Sequence, residues 1–106
     1  GAMAYFAVEN DDVLATCMTM PLGDGVWEIC KLAAKDQYTG TGAGSSVLKS
    51  AMEYAIANNA KKLVLISCRS LKPAIHLYKK IGFKEVPYRK EYWKSDKADI
   101  EMEYTV

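Results

Sequence analysis

The stretch Asp36–Ser50, DQYTGTGAGSSVLKS, decides how this chain is read. Gly40, Gly42 and Gly44 fall at every second position, and a run with apolar residues at helical spacing follows at once. Glycine admits positive φ and lets a ligand approach the backbone closely. A helix N-terminus presents unpaired N–H groups at the positive end of its macrodipole. A glycine run entering a helix is therefore either an anion cradle or a flexible connector. Two common phosphate motifs do not fit. A P-loop needs Gly-Lys-Ser/Thr, and Ser45-Ser46 follow Gly44. The dinucleotide fingerprint needs a third glycine where Ser45 or Val47 stands.

Upstream of the glycines the pattern has period two. Ala4–Glu9, Val13–Met20 and Val26–Ala34 read as strands, joined by turns at Asn10-Asp11-Asp12 and Pro21–Gly25. This is an antiparallel meander. Downstream, Leu48, Ala51, Met52, Ala55 and Ile56 mark one face of a helix over Ser45–Asn58. Lys62–Ser67 is continuously apolar after its lysine, as in a strand of a parallel pair covered on both faces. Ser70 is placed to cap a second helix whose first turn tolerates Pro73. Ala74, Leu77, Tyr78 and Ile81 share a face of that helix, and Gly82 ends it. Phe83–Val86 and Ile100–Val106 read as further strands around a polar, aromatic-containing loop, Pro87–Ala98. The fold class is α+β: a mixed sheet made of a three-strand meander, then helix-strand-helix-strand-strand, with one parallel crossover.

At 106 residues the chain has room for one core. Half of it is apolar and a quarter charged, which separates it from disordered sequences. Net charge is +1 with scattered basic residues, so nucleic acid is not an expected partner. No apolar run approaches membrane-spanning length, and a membrane role is not expected either. Cys17, Cys30 and Cys68 are widely spaced in apolar segments and read as buried thiols of a reducing, cytoplasmic compartment rather than as a metal site. Gly1-Ala2-Met3 reads as a scar of tag removal, leaving residues 4–106 as a single domain.

Three ordered blocks resemble the GNAT acetyltransferase superfamily. Tyr38-Thr39-Gly40-Thr41-Gly42-Ala43-Gly44 is similar to that family's pyrophosphate loop, with Val47-Leu48 after it. Glu28-Ile29-Cys30-Lys31-Leu32-Ala33-Ala34 resembles its central strand, and Ala74–Phe83 (AIHLYKKIGF) its Ala-Ile-x-Leu-Tyr-x-Lys-x-Gly-Phe segment. The ending Ala98–Glu103 also resembles a common final strand. Two departures stand out. Thr39 replaces the usual Arg or Gln, and the chain begins at what matches the second strand of relatives, so it is N-terminally shortened against the usual strand and two helices.

The resemblance implies transfer of an acetyl group from acetyl-CoA to a primary amine of a small molecule or peptide, by direct attack in a ternary complex without a metal. It implies that Leu32, Ala33 and Ala34 pair with the pantetheine arm. Thr39, Gly40, Thr41, Gly42, Ala43, Gly44 and Ser45 would hold the pyrophosphate, and Ser67 and Cys68 would lie near the pantetheine. Tyr78 stands where relatives keep a general acid for the departing thiolate, and it is equally placed to be core. Glu28 stands where some relatives keep a general base, and it also suits an exposed or cross-strand-paired carboxylate. His76 points away from Tyr78 on the helix and reads as solvent-facing or CoA-adjacent. Tyr88, Tyr92 and Trp93 either line a site or cover a homodimer contact. The alternative function is a CoA-binding module, inactive alone because its acceptor-site lobe is missing or supplied by a partner.

Overall fold

The computed structural model describes residues 2–9, 12–34 and 42–106. The elements are β1 (Met3–Glu9), β2 (Asp12–Gly23), β3 (Val26–Ala34), α1 (Ala43–Ala57), β4 (Lys62–Ser67), α2 (Lys72–Ile81), β5 (Lys84–Val86), α3 (Lys90–Trp93) and β6 (Ile100–Thr105). The strands form one sheet in the order β1-β2-β3-β4-β6-β5. All neighbours are antiparallel except β3 and β4, which α1 joins as a crossover. The α+β reading therefore stands, and β4 is parallel to β3 while antiparallel to β6.

Several boundaries move for local reasons. Met3 belongs to β1, where it pairs with Thr19. β2 runs through Pro21, which sits opposite Trp27 beside a register shift, a place where a missing N–H is tolerated. The turn shrinks to Asp24-Gly25, both with positive φ (54° and 79°), as a two-residue hairpin matched to strand twist requires. Ser70 does not cap α2. The Leu71 N–H donates to the Cys68 carbonyl at 2.9 Å, a turn that delays the helix, and Leu71 becomes a cap without a side-chain bond. Gly82 ends α2 as expected, with φ 127°. The segment Pro87–Ala98 contains the short helix α3 instead of being loop throughout.

The two sheet faces differ. Strand side chains alternate, and cross-strand partners share a face. Cys17, Thr19, Trp27, Ile29, Leu63, Leu65, Ile100 and Met102 are buried on the face that α1 and α2 cover. Val47, Leu48, Ala51, Met52 and Ala55 supply the α1 side, whereas Ile56 is exposed. Tyr54 packs edge-on against Tyr5 and Trp27, with ring centroids 6.4 and 5.9 Å apart. Phe83, just past α2, lies between Tyr78 at 5.8 Å and Tyr104 at 5.6 Å. The opposite face carries Phe6, Met18, Met20, Val26, Glu28, Cys30, Val64 and Ile66. No helix of the described residues packs on its meander half, and Phe6 is 60% exposed there.

Candidate functional site

The site begins where two strands part. β3 and β4 pair only from Val26 with Lys62 to Glu28 with Val64. Beyond that point β4 stays paired to β6 as far as Ser67, while β3 follows β2. A bulge in β3 adds to the divergence. Cys30 pairs with Met18, but the next pair joins Ala33 to Thr16, so three steps along β3 match two along β2. Bulges bend a strand and re-aim its side chains. Strict alternation puts Leu32 beside Glu28 and Cys30. With the extra residue, Leu32 comes instead to the covered side and packs against the core margin.

The opening is a cleft of about 990 Å³. Leu32 and Ala33 form one wall, the first turn of α1 another, and Pro73, Ala74, Leu77 and Ile81 of α2 the third. The first turn of α1 suits an anion. Gly42 caps the helix with φ 93°, a left-handed conformation that side-chain-bearing residues disfavour, and no side chain satisfies the cap. The first intrahelical bond runs from the Ser46 N–H to the Gly42 carbonyl at 2.9 Å. The N–H groups of Ala43, Gly44 and Ser45 thus have no acceptor within the helix. The first turn contains no acidic residue to compete for them. Gly42, Gly44 and Ser45 all border the cleft. Thr39, Gly40 and Thr41 lie outside the described residues, as does the rest of the loop from Lys35.

The other expected residues divide. Ala34 ends β3 opposite Ala15. Ser67 and Cys68 are not among the residues that border the cleft. The Ser67 carbonyl accepts from the Asp99 N–H at 3.0 Å, and the Cys68 thiol donates to the Lys97 carbonyl at 2.8 Å. Both residues serve the junction between β4 and the segment before β6. His76 is exposed and borders the cleft. Of the three cysteines only Cys17 is buried; Cys30 and Cys68 are half-buried.

Tyr78 faces inward from α2, with Leu77 rather than Tyr78 on the cleft wall. Burial, followed by the neighbouring Cys17 and Cys30 thiols, pushes its phenol well above the ordinary value. The Cys17 thiol is itself pushed up to about 12 by burial and by Cys30. Glu28 is half-buried on the opposite face of the sheet, where burial raises its carboxyl.

Two features went unread in the sequence. Lys49 of α1 and Lys80 of α2 border the cleft, a placement foreshadowed by their spacing of four residues from Ser45 and His76. Glu101 is buried on β6, where it accepts from the Arg89 side chain and backbone and from Trp93 Nε1 at 2.9 Å. Its signal was a charge within an otherwise apolar run, Ile100-Glu101-Met102. Trp93 is thereby tied to the sheet, Tyr88 donates to the Ser95 carbonyl at 3.2 Å, and Tyr92 lies under the Arg89 guanidinium at 4.3 Å.

Known proteins share this architecture. A Staphylococcus aureus Mu50 acetyltransferase of the GNAT family superposes with a TM-score of 0.90 at 16% identity, over 99% of this chain and 68% of that one. A GNAT acetyltransferase from Elizabethkingia anophelis, solved with acetyl-CoA bound, gives 0.82 at 22% identity, over 99% of this chain and 76% of its own. A Bacillus subtilis (strain 168) protein provisionally named ribosomal protein bS18-alanine N-acetyltransferase is 31% identical over 101 residues, which is 90% of this chain. The chain spans 63% of that relative's length. Residues 1–83 match the acetyltransferase (GNAT) family, and the chain belongs to it.

Proposed function

We propose that this chain binds acetyl-CoA in the cleft between β3, α1 and α2 and transfers its acetyl group to a primary amine of a small molecule or peptide. The observation that carries this reading is the first turn of α1. It offers three N–H groups without helical acceptors, no competing acid, and a position at the mouth of the strand splay. Those donors suit the pyrophosphate, and the Leu32–Ala33 edge of β3, unpaired with β4, suits the amide groups of pantetheine. A backbone N–H of that edge polarises the thioester carbonyl.

In the reaction the amine nitrogen bonds to the thioester carbon and the carbon–sulfur bond breaks. Glu28, whose raised carboxyl suits a base, takes the proton from the amine directly or through water. Tyr78 holds its proton at neutral pH and gives it to the departing thiolate. The Bacillus subtilis relative's name points to a peptide N-terminus as the first acceptor to try. The alternative, a CoA-binding module that needs a further segment or partner to complete the acceptor site, draws on the apolar meander face that no described helix covers. Calorimetry with acetyl-CoA, then CoA release with an amine panel that includes a peptide beginning with alanine, separates the two. Binding with release by at least one amine supports the enzyme. Binding without any release leaves the module, and no binding removes both.

A further inference from the structure

The cleft carries two cations that the reading above does not use. Lys49 and Lys80 both border it, both are exposed, and no Asp or Glu stands among its described lining residues. Neither lysine belongs to an ion pair within the described residues.

The helices set where these charges lie. Lys49 is seven residues beyond Gly42, roughly 10 Å up the axis of α1 at about 1.5 Å per residue. A Cβ on Gly44 would lie 3.9 Å from Leu77 Cδ2, so the first turn of α1 sits beside Leu77. Lys80 follows Leu77 by about one helical turn and shares its side of α2. Two lysines from two helices thus border the same cleft as the Gly42–Ser45 turn. The N–H donors of that turn and the roughly half charge of the helix dipole already suit a pyrophosphate. Two further full charges call for another anionic group. An ammonium is a compact point charge, suited to a terminal phosphate.

Resting on the acetyl-CoA reading, we propose that Lys49 and Lys80 form a separate subsite for the 3′-phosphate of CoA, so that the cleft selects CoA over its 3′-dephospho form. The pyrophosphate belongs to the backbone donors, and the terminal phosphate belongs to the lysines.

Calorimetric titration of CoA and 3′-dephospho-CoA at one fixed ionic strength tests this, using wild type, Lys49→Met, Lys80→Met and the double variant. Methionine keeps most of the apolar stem at these exposed positions, and circular dichroism checks the fold. Each single variant is expected to lose about tenfold in CoA affinity, the scale of one charge-assisted contact. Dephospho-CoA affinity stays within about twofold, so the double variant no longer distinguishes the ligands. Lys→Arg variants keep the discrimination. Equal weakening toward both ligands assigns the lysines to the pyrophosphate and overturns the proposal, as does unchanged CoA affinity in the double variant. Wild type that binds neither ligand removes the acetyl-CoA reading itself, a failure visible before any variant is compared.

Discussion

Arg89 closes on Glu101 with Nη2 2.7 Å and Nε 2.9 Å from the same carboxylate oxygen, and Glu101 is only 1% exposed. The Arg89 backbone N–H and Trp93 Nε1 supply the other oxygen at 3.1 and 2.9 Å. One buried carboxylate therefore ties α3 to the outer face of β6.

Arg89→Ala leaves that carboxylate buried with fewer donors. The Arg89 side chain is 51% exposed, so solvent screening places the loss below that of a fully buried pair, on the order of 2 kcal/mol. Urea denaturation at neutral pH reads it, and an unshifted midpoint refutes it. Burial raises the Glu101 carboxyl, but the bonds from Arg89 and Trp93 outweigh this and hold it below the usual carboxylate range. The stabilisation is therefore present above the unfolded value of about 4.3 and is lost as pH falls through the lower folded value. The gap between wild type and variant narrows over the same acidic window.

Glu28 behaves with the opposite sign. Burial raises its carboxyl in the folded state, so its contribution is most favourable below the unfolded value of about 4.3 and is lost as pH rises through the folded one. Glu28→Gln is expected to raise the melting temperature near neutral pH, with the gain shrinking toward pH 4. The same variant slows acetyl transfer while sparing acetyl-CoA affinity. Full turnover in Glu28→Gln excludes it as the base.

Tyr78→Phe keeps the ring against Phe83 and removes a hydroxyl that makes no hydrogen bond within the described residues. Stability should change by less than about 1 kcal/mol. Transfer slows by roughly 10²-fold or more if the phenol protonates the thiolate. Wild-type kcat in the variant assigns Tyr78 to packing alone.

Gly42→Val forces a β-branched residue into φ 93°, at a cost of about 1–3 kcal/mol, although open space surrounds the site. Acetyl-CoA affinity falls with it, because the helix cap shifts. Gly44→Ala is the control: its new methyl meets Leu77 at an ordinary 3.9 Å, and binding stays near wild type. Loss of binding in both variants, or in neither, contradicts a conformational role specific to Gly42.

The elements were legible because their signals are local. Period-two alternation marked β1 to β3, the 3.6 spacing of Leu48, Ala51, Met52 and Ala55 marked α1, and Gly82 marked the end of α2. The glycines at 42 and 44 placed the cleft for the same reason, since a glycine before a helix acts through its own φ and its own N–H groups. Other outcomes required partners far away in the chain. Cross-strand register, not strand propensity, put a bulge after Cys30 and turned Leu32 into the cleft. Bonds to Lys97 and Asp99 drew Cys68 and Ser67 to the β4–β6 junction. Glu101 was unread in the sequence because its partners, Arg89 and Trp93, lie 12 and 8 residues away. Sequence by itself determined the strands and the two longer helices, though not α3, and where an anion could meet a helix end. Only the tertiary structure decided which sheet face is covered and which side chains reach the cleft, because burial and register arise between residues that sequence spacing does not connect.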